Sequence, residues 1–454
     1  MISDASDPTM QNQAVYHLLR QREQHGRPIR VGVIGAGATG RAIALQLGTP
    51  VPGIRIAGIA NRTPAHAERA LREAGLSRWH NATSPANATA HIERGQTVLC
   101  DDAAVLTQSD AIDIIVEVTG TVDFAASVVL DAFQHRKHVV MVNAELDSLI
   151  GPILKSKADD AGVVLTHTDG DEPGVAMTLF RYLQSVGLKP VATGNIKGMV
   201  DYYRTPETQA EFALKNDQDA RKVTSFADST KLSMETTVMA NATGFGVARR
   251  GMTGPACKYV RELAGLLPPE AMLNGGIVDY CVGASPFTGA FVVVHEENPY
   301  KKTQLAYYKL GDGPFYVFYT PFHLPHIQLP STIARAVLHR DPTVAPLAGP
   351  SCDVVTVAKR DLRAGERLDG IGGFTAYGLI ENHAIARADG ALPIALSEGC
   401  VLTRDIRKDA VVTFSSVRLP NPRLSDTLWA EQCRRWPKAT TSDQQQSAVA
   451  RRTA

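Results

Sequence analysis

Cysteine is scarce and scattered in this sequence: the six in 454 residues, Cys100, Cys257, Cys281, Cys352, Cys400 and Cys433, form no CxxC pair and no His/Cys spacing suited to zinc. That excludes a disulfide-stapled scaffold and a zinc module, and it reads as reduced thiols. Long hydrophobic runs are missing too. No uninterrupted apolar stretch reaches the ~18 residues of a membrane span, and the opening MISDASDPTMQNQ has no basic region leading into an apolar core. The expectation is a soluble, cytoplasmic protein without membrane contact. Neither sign of charge is in excess: 47 Lys and Arg stand against 46 Asp and Glu, a net charge of +1, which argues against a nucleic-acid partner. What is present is ordinary globular usage, 44% hydrophobic and 20% charged, in a chain long enough for two to three cored domains.

From Ile29 to Thr168, short β-branched runs (Ile29–Ile34, Ile54–Ala60, Ile112–Val118, His138–Val142, Val163–Thr168) alternate with helical patterns at Ala65–Glu73, Phe124–Arg136 and Leu149–Ala161. Runs apolar on both faces belong in a parallel sheet covered by helices on each side, so the fold class is α/β, with an N-terminal doubly wound (Rossmann) domain over 1–165. A helix over Gln11–Glu23 precedes it. The pattern then loosens into an α+β catalytic domain, 166–345, with strands at Val191–Ile196 and Gly289–Val294 and a helix over Lys231–Ala240. VAPLAGPS (Val344–Ser351) reads as a linker. Beyond it, VAKRDLRAGERL (Val357–Leu368) is echoed by VLTRDIRKDAVV (Val401–Val412), around the glycine- and aromatic-rich GGFTAYG (Gly372–Gly378). This 346–419 segment resembles the SAF module, a small β-clip, and is expected to fold as a unit that covers the catalytic region or a neighbouring subunit. The tail, 420–454, is polar enough at its end to be disordered.

Gly35, Gly37 and Gly40 form a GxGxxG that follows one strand and opens a helix, the context that makes this motif informative. Gly35 permits the tight turn, Gly37 lets a pyrophosphate approach backbone N–H groups at the helix start (Ala38, Thr39), and Gly40 allows helix and strand to pack closely. After the second strand, where an acid would hold the ribose hydroxyls, stand Asn61, Arg62 and Thr63. Donors and a positive charge there favour NADP(H) over NAD; the alternative is that Arg62 is a solvated neighbour of a helix beginning at Thr63-Pro64. Thr119 and Gly120 are expected beneath the nicotinamide half.

VEVTG, HRKHVVMVNAELD, FADSTKLSMETTVMANATG (Phe226–Gly244) and YTPFHL (Tyr319–Leu324), followed by the repeated module, resemble the homoserine dehydrogenase-like family that includes type II 1-deoxy-D-xylulose 5-phosphate reductoisomerase. The chain departs from homoserine dehydrogenases at Asn143-Ala144-Glu145, where they carry Asn-Lys. MVNAELD, with Asn143, Glu145 and Asp147, is similar to the reductoisomerase branch. The resemblance implies an NAD(P)-dependent oxidoreductase reducing a carbonyl of a sugar-phosphate or polyol-type metabolite, with or without a carbon-skeleton rearrangement. A cofactor-binding sensor with a carbohydrate-binding module is the alternative from another class. Carbonyl reduction needs a donor that stabilises the developing alkoxide and supplies a proton, and Lys231 is the first candidate. Asp228, Lys231 and Glu235 share one helical stripe; on spacing alone that is an ordinary ion-paired face, and the family motif makes it a site. Asn241 either orients a substrate hydroxyl or caps the helix. Asp171 and Glu172, in TDGDEPG, either hold Mg²⁺ or Mn²⁺ or charge a helix N-terminus. Lys197 is a phosphate contact or a solvated lysine, and Glu145 lies near the nicotinamide edge. His323 is structural first, catalytic second. The expected partners are a small-molecule substrate and further copies of the chain, in a dimer or tetramer.

Overall fold

The computed structural model describes residues 15–347 and 349–437; the expected helical residues 11–14 and the polar end of the tail lie outside them. Seven strands, β1 (Ile29–Ile34), β2 (Ile54–Ala60), β3 (His80–Asn81), β4 (Val98–Cys100), β5 (Ile114–Glu117), β6 (His138–Met141) and β7 (Leu165–His167), form one parallel sheet in the order β3-β4-β2-β1-β5-β6-β7. The helices Ala38–Gly48 and Pro64–Glu73 cover one face, and Asp123–Gln134 and Ala144–Asp160 cover the other. This is why the strands are apolar on both sides. From β1 the chain winds outward to β2, and later through β5 in the opposite direction, so a ligand crevice opens beyond the carboxyl ends of β1 and β5. Strands β3 and β4 are too short for any period to reveal. The expected Leu149–Ala161 helix starts five residues earlier, because Asn143 Oδ1 accepts a hydrogen bond from Leu146 N (3.1 Å) and caps it there; a kink at Ile150 precedes Pro152.

A four-stranded sheet follows, in the order β11-β10-β8-β9, from β8 (Lys189–Lys197), β9 (Ile277–Val282), β10 (Ala290–His295) and β11 (Phe315–Thr320). The helices Glu172–Ser185 and Thr230–Thr243 pack on one face of it. Ser229, left-handed at φ 76°, breaks the chain between the helix Ala220–Ala227 and the helix Thr230–Thr243. Asp228 therefore does not share a helical stripe with Lys231 and Glu235. Its carboxylate accepts from Thr230 N (3.0 Å) and pairs with Lys359 Nζ (2.9 Å) of the C-terminal segment, both groups fully buried. The helix Leu329–His339 returns to the first sheet, where Leu329 and Ile333 pack against its core.

The C-terminal repeats pair with each other about a local two-fold. Leu362 and Ile406, equivalent positions of the repeats, exchange both backbone hydrogen bonds, at 2.8 and 2.9 Å. The flanking bridges Val357–Val411 and Arg367–Val401 are mirror partners, and Asp361 and Asp405 accept from Lys408 N and Ala364 N of the opposite repeat. Strands β12 (Cys352–Ala358) and β13 (Ala376–Asn382) frame the module. It is not an appendage. Leu362, Leu368, Leu392, Leu396 and Leu402 share one apolar cluster with Val129, Leu146 and Leu149 of the first domain, and the helix Leu424–Arg435 seals it through Leu428.

Two buried ionisable groups carry expectations. Replacing Lys359 by Met strands the Asp228 carboxylate in the interior, so unfolding in urea should show a loss of about 3–5 kcal/mol, largely recovered in the double variant K359M/D228N. Glu117, fully buried, accepts from Thr119 N (2.8 Å) and Asn143 Nδ2 (2.8 Å), and burial outweighs these bonds and pushes its carboxyl up to about 7. A folded-state value above the unfolded ~4.3 means the fold binds the extra proton, so this stability is full below pH ~4 and is lost as pH rises through about 7. Glu117→Gln introduces a constant offset but removes that slope. Between pH 4.5 and 8 the wild type should lose on the order of 3 kcal/mol relative to the variant in paired denaturation curves.

Candidate active site

The glycine turn is built as a cradle. Gly35 sits at φ 113° with a Cβ position 3.0 Å from Val118 O, and at Gly40 a Cβ would collide with the Gly35 carbonyl oxygen, so neither tolerates a side chain. Gly37 precedes the helix Ala38–Gly48, and among the described residues nothing lies within 4 Å of a Cβ there, which leaves room for a ligand against the N–H groups of Ala38 and Thr39. Asn61 serves the turn itself: its Oδ1 accepts from Ala36 N (3.1 Å) and its Nδ2 donates to Thr63 O (2.9 Å). The amide expected to face the adenosine ribose is thus already engaged. Arg62 and Thr63 stay exposed at the start of the helix Pro64–Glu73, and the Thr63 hydroxyl makes no capping bond.

Across the crevice, Thr119 and Gly120 continue β5. Asn143, also expected at the cofactor, uses its whole amide to hold the crevice walls together: Nδ2 donates to Glu117 and to Thr121 O (2.7 Å), while Oδ1 caps the following helix. Beyond them opens a cleft of about 540 Å³, lined among others by Thr119, Gly120, Phe124, Glu145 and Lys222, and closed on the far side by Ile371, Ile394 and Arg423 of the C-terminal segment.

Next to this cleft lies a buried cluster of charge. Lys231 Nζ stands 3.6 Å from Glu145 Oε2. Burial opposes its charge, but Glu145, with Asp171, Glu235 and Glu172 behind it, outweighs that and holds the ammonium above its usual range. Lys197 Nζ donates to Glu172 Oε1 (2.7 Å) and Glu235 Oε2 (3.4 Å), and Asn195 Nδ2 donates to the same Glu235 oxygen (2.9 Å). The Lys197 pKa is likewise raised: burial works against its charge, and Glu172 and Glu235 prevail. Burial first, and Glu172 second, push Glu235 up to about 8. Lys197 is therefore neither solvated nor isolated, and Glu235 is hydrogen-bonded to Lys197 and Asn195, so that only its field reaches Lys231. Asp171 starts the helix Glu172–Ser185 and pairs with His167 Nε2 (3.0 Å), whose Nδ1 meets Asp147 (3.1 Å). His167 is fully buried; the two carboxylates overcome that burial and lift it to about 9, an imidazolium between two aspartates.

His323 Nε2 lies 3.5 Å from Glu172, while its Nδ1 bonds the Thr288 hydroxyl (2.9 Å), which places it at the cluster's edge. Asn241 lies away from the cleft's chemistry: its Oδ1 accepts from Ser351 N (2.7 Å) and Cys352 N (3.3 Å), fastening the linker to the central helix, a structural duty in place of the substrate contact. The structure thus gathers Lys231, Glu145, Lys197, Glu235, Asp171 and Glu172, and excludes Asp228 and Asn241. Sequence reasoning passed over His167, Asn195 and Lys222. His167 had a signal, since it ends β7 at the carboxyl edge of the sheet. Lys222 had none.

Residues 35–162 match the family model described as the homoserine dehydrogenase NAD binding domain, and residues 170–329 match that of the oxidoreductase DRL catalytic domain. No curated protein matches the chain. Among solved structures, a probable dehydrogenase from Thermotoga maritima is 12% identical over 69% of this chain and 90% of its own, with a TM-score of 0.40. The myo-inositol dehydrogenase from Lactobacillus casei, in complex with NAD(H) and myo-inositol, is 14% identical over 71% and 89%, at 0.39. Among the described residues, no helix is long and apolar enough to cross a membrane. The chain thus joins an NAD-binding domain of the homoserine dehydrogenase type to an oxidoreductase catalytic domain of the DRL type.

Proposed function

We propose that the chain moves a hydride between NADP(H) and a C–OH/C=O centre of a small sugar-phosphate or polyol-type metabolite, with Lys231 bearing the alkoxide charge. The observation that carries this reading is the Lys231–Glu145 contact. It joins the central helix of the catalytic domain to the first turn of a Rossmann helix, and Glu145 itself lines the cleft beside Thr119 and Gly120. An ammonium kept charged in a low-dielectric site stabilises a developing oxyanion without reorganising. Arg62, exposed where an acid would repel a 2′-phosphate, supports NADP(H).

A rearrangement before reduction is the second reading, and the acidic trio favours it. Carboxylate oxygens of Asp171, Glu172 and Glu235 lie within 4.8 Å of one another, all buried, and Asn195 Oδ1 nearby is buried without a hydrogen-bond partner among the described residues. This hard-oxygen set fits Mg²⁺ or Mn²⁺, with Lys197 now bridging two of the three acids as a stand-in cation. Those three residues would hold the ion, whose Lewis acidity would polarise a chelated hydroxyketone. Turnover abolished by EDTA and restored by Mn²⁺ supports the rearranging version; full activity in EDTA supports hydride transfer alone.

Two substitutions test the main reading. Arg62→Asp should reverse or abolish a preference for NADPH over NADH in fluorescence titrations, whereas equal affinities in the wild type, unmoved by the change, would rule out the assignment. Lys231→Met should cut turnover by ~100-fold or more while leaving NADPH affinity intact; a fully active K231M enzyme would end the proposal.

A further inference from the structure

Resting on the nicotinamide-cofactor reading, we infer that Lys222, which lies outside the nucleotide-binding domain, binds the cofactor's diphosphate from across the cleft. The residue sits on the helix Ala220–Ala227 of the catalytic domain, yet its ammonium reaches the opposite wall: Nζ lies 3.4 Å from the hydroxyl of Thr39, in the first turn of the helix that follows the glycine cradle. Thr39 is its one hydrogen-bond partner among the described residues, at the long limit for such a bond, so a group with three donors has at least two unspent. Lys222 also lines the cleft. Burial lowers its pKa, although Glu145 lies close enough to pull the other way. A half-buried ammonium pays for desolvation and collects little in return from the chain. An anion between it and the cradle would supply the missing partner.

The neighbouring structure holds Lys222 in place for this. Five residues earlier, Asp217 receives Arg41 Nη2 (2.6 Å) and Arg69 Nη2 (2.8 Å), from the two Rossmann helices that flank the adenosine side. Asp219 caps the Lys222 helix, with its carboxylate accepting from Lys222 N (3.0 Å). On the other side, Arg221 donates to Asp369 O and Ile371 O of the C-terminal module. The segment is tied to both neighbours, with Lys222 Nζ beside Thr39, two residues past Gly37, where the described residues leave room for a ligand. The same chemistry could serve a substrate phosphate, but the contact with Thr39 points to the phosphates that the helix N-terminus itself receives.

The test requires no substrate. Titrations of the full chain with NADPH, NADH and ADP-ribose, which share the diphosphate, should show all three weakened by about tenfold or more in Lys222→Met, the loss of one charge-assisted hydrogen bond to phosphate. Lys222→Arg should retain most of the affinity, and the NADPH-to-NADH ratio should stay at its wild-type value, unlike the effect of changing Arg62. Thermal melts of each variant establish that it is folded. Should K222M fold poorly, Lys222→Gln takes its place, and its ADP-ribose binding should depend less steeply on salt than that of wild type or K222R; equal slopes in all three overturn the assignment. Unchanged affinities in folded K222M would overturn the assignment, as would a loss confined to NADPH. A rise in KM for a phosphorylated substrate with cofactor affinity intact would assign Lys222 to the substrate instead and equally reject the proposal.

Discussion

The structure is organised around a helix with no free face. Every residue from Thr230 to Ala242 is buried, although the segment carries Lys231, Glu235, Asn241 and the four hydroxyls of Thr230, Ser233, Thr236 and Thr237. Each buried polar group must find a partner or cost its desolvation. Here the partners come from every other layer. Thr230 Oγ1 accepts from Gly378 N and Ser233 Oγ donates to Gly378 O, which fixes the C-terminal module. Lys231 reaches the first domain through Glu145, Glu235 reaches β8 through Asn195 and Lys197, and Asn241 holds the linker. The nucleotide-binding, catalytic and C-terminal parts meet because one polar helix needs all three.

That requirement also shapes the electrostatics. Five carboxylates, Glu145, Asp147, Asp171, Glu172 and Glu235, crowd beside Lys197, Lys231 and His167 where water is excluded. Unlike charges raise the lysines and the histidine, while burial and then like charges push Glu235 up toward neutrality, so the cluster approaches balance by titration as well as by pairing. A near-balanced, preorganised cluster is a suitable place for a reaction that creates a single new negative charge.

The first domain was readable because its signals are local. Strands apolar on both faces announce a parallel sheet, and a glycine turn between strand and helix announces the cradle; β1 and β2 fall on the expected residues at both ends. The C-terminal repeat was readable for the same reason, and its internal two-fold follows from Leu362 facing its own equivalent, Ile406. Spacing misled where partners come from far along the chain. Asp228 is three residues from Lys231, which on a helix would place the two together, but a left-handed Ser229 turns it toward Lys359, 131 residues away. Asn61 and Asn143 were placed at the cofactor by position, yet both amides are spent on backbone and carboxylate partners that no local pattern reveals. For the C-terminal module, periodicity shows that a segment has an apolar face but not what covers it, and the cover comes from Val129, Leu146 and Leu149 of the first domain.

The choice between the two buried lysines follows from donor counting. An ammonium has three N–H donors and no acceptor. Lys197 places its ammonium against Glu172 at 2.7 Å and Glu235 at 3.4 Å, and those contacts hold it between the helices Glu172–Ser185 and Thr230–Thr243. Lys231 has one ion-pair partner among the described residues, at 3.6 Å, beyond hydrogen-bond reach. Its charge is secured by the field of Glu145 and the acids behind it, while its donors remain uncommitted. A group that is firmly charged but weakly bonded can turn its protons to an oxygen that becomes negative during the reaction. Lys197 would first have to abandon two carboxylates in a water-poor interior. The same local field that keeps both lysines charged thus leaves only Lys231 free to answer a new charge.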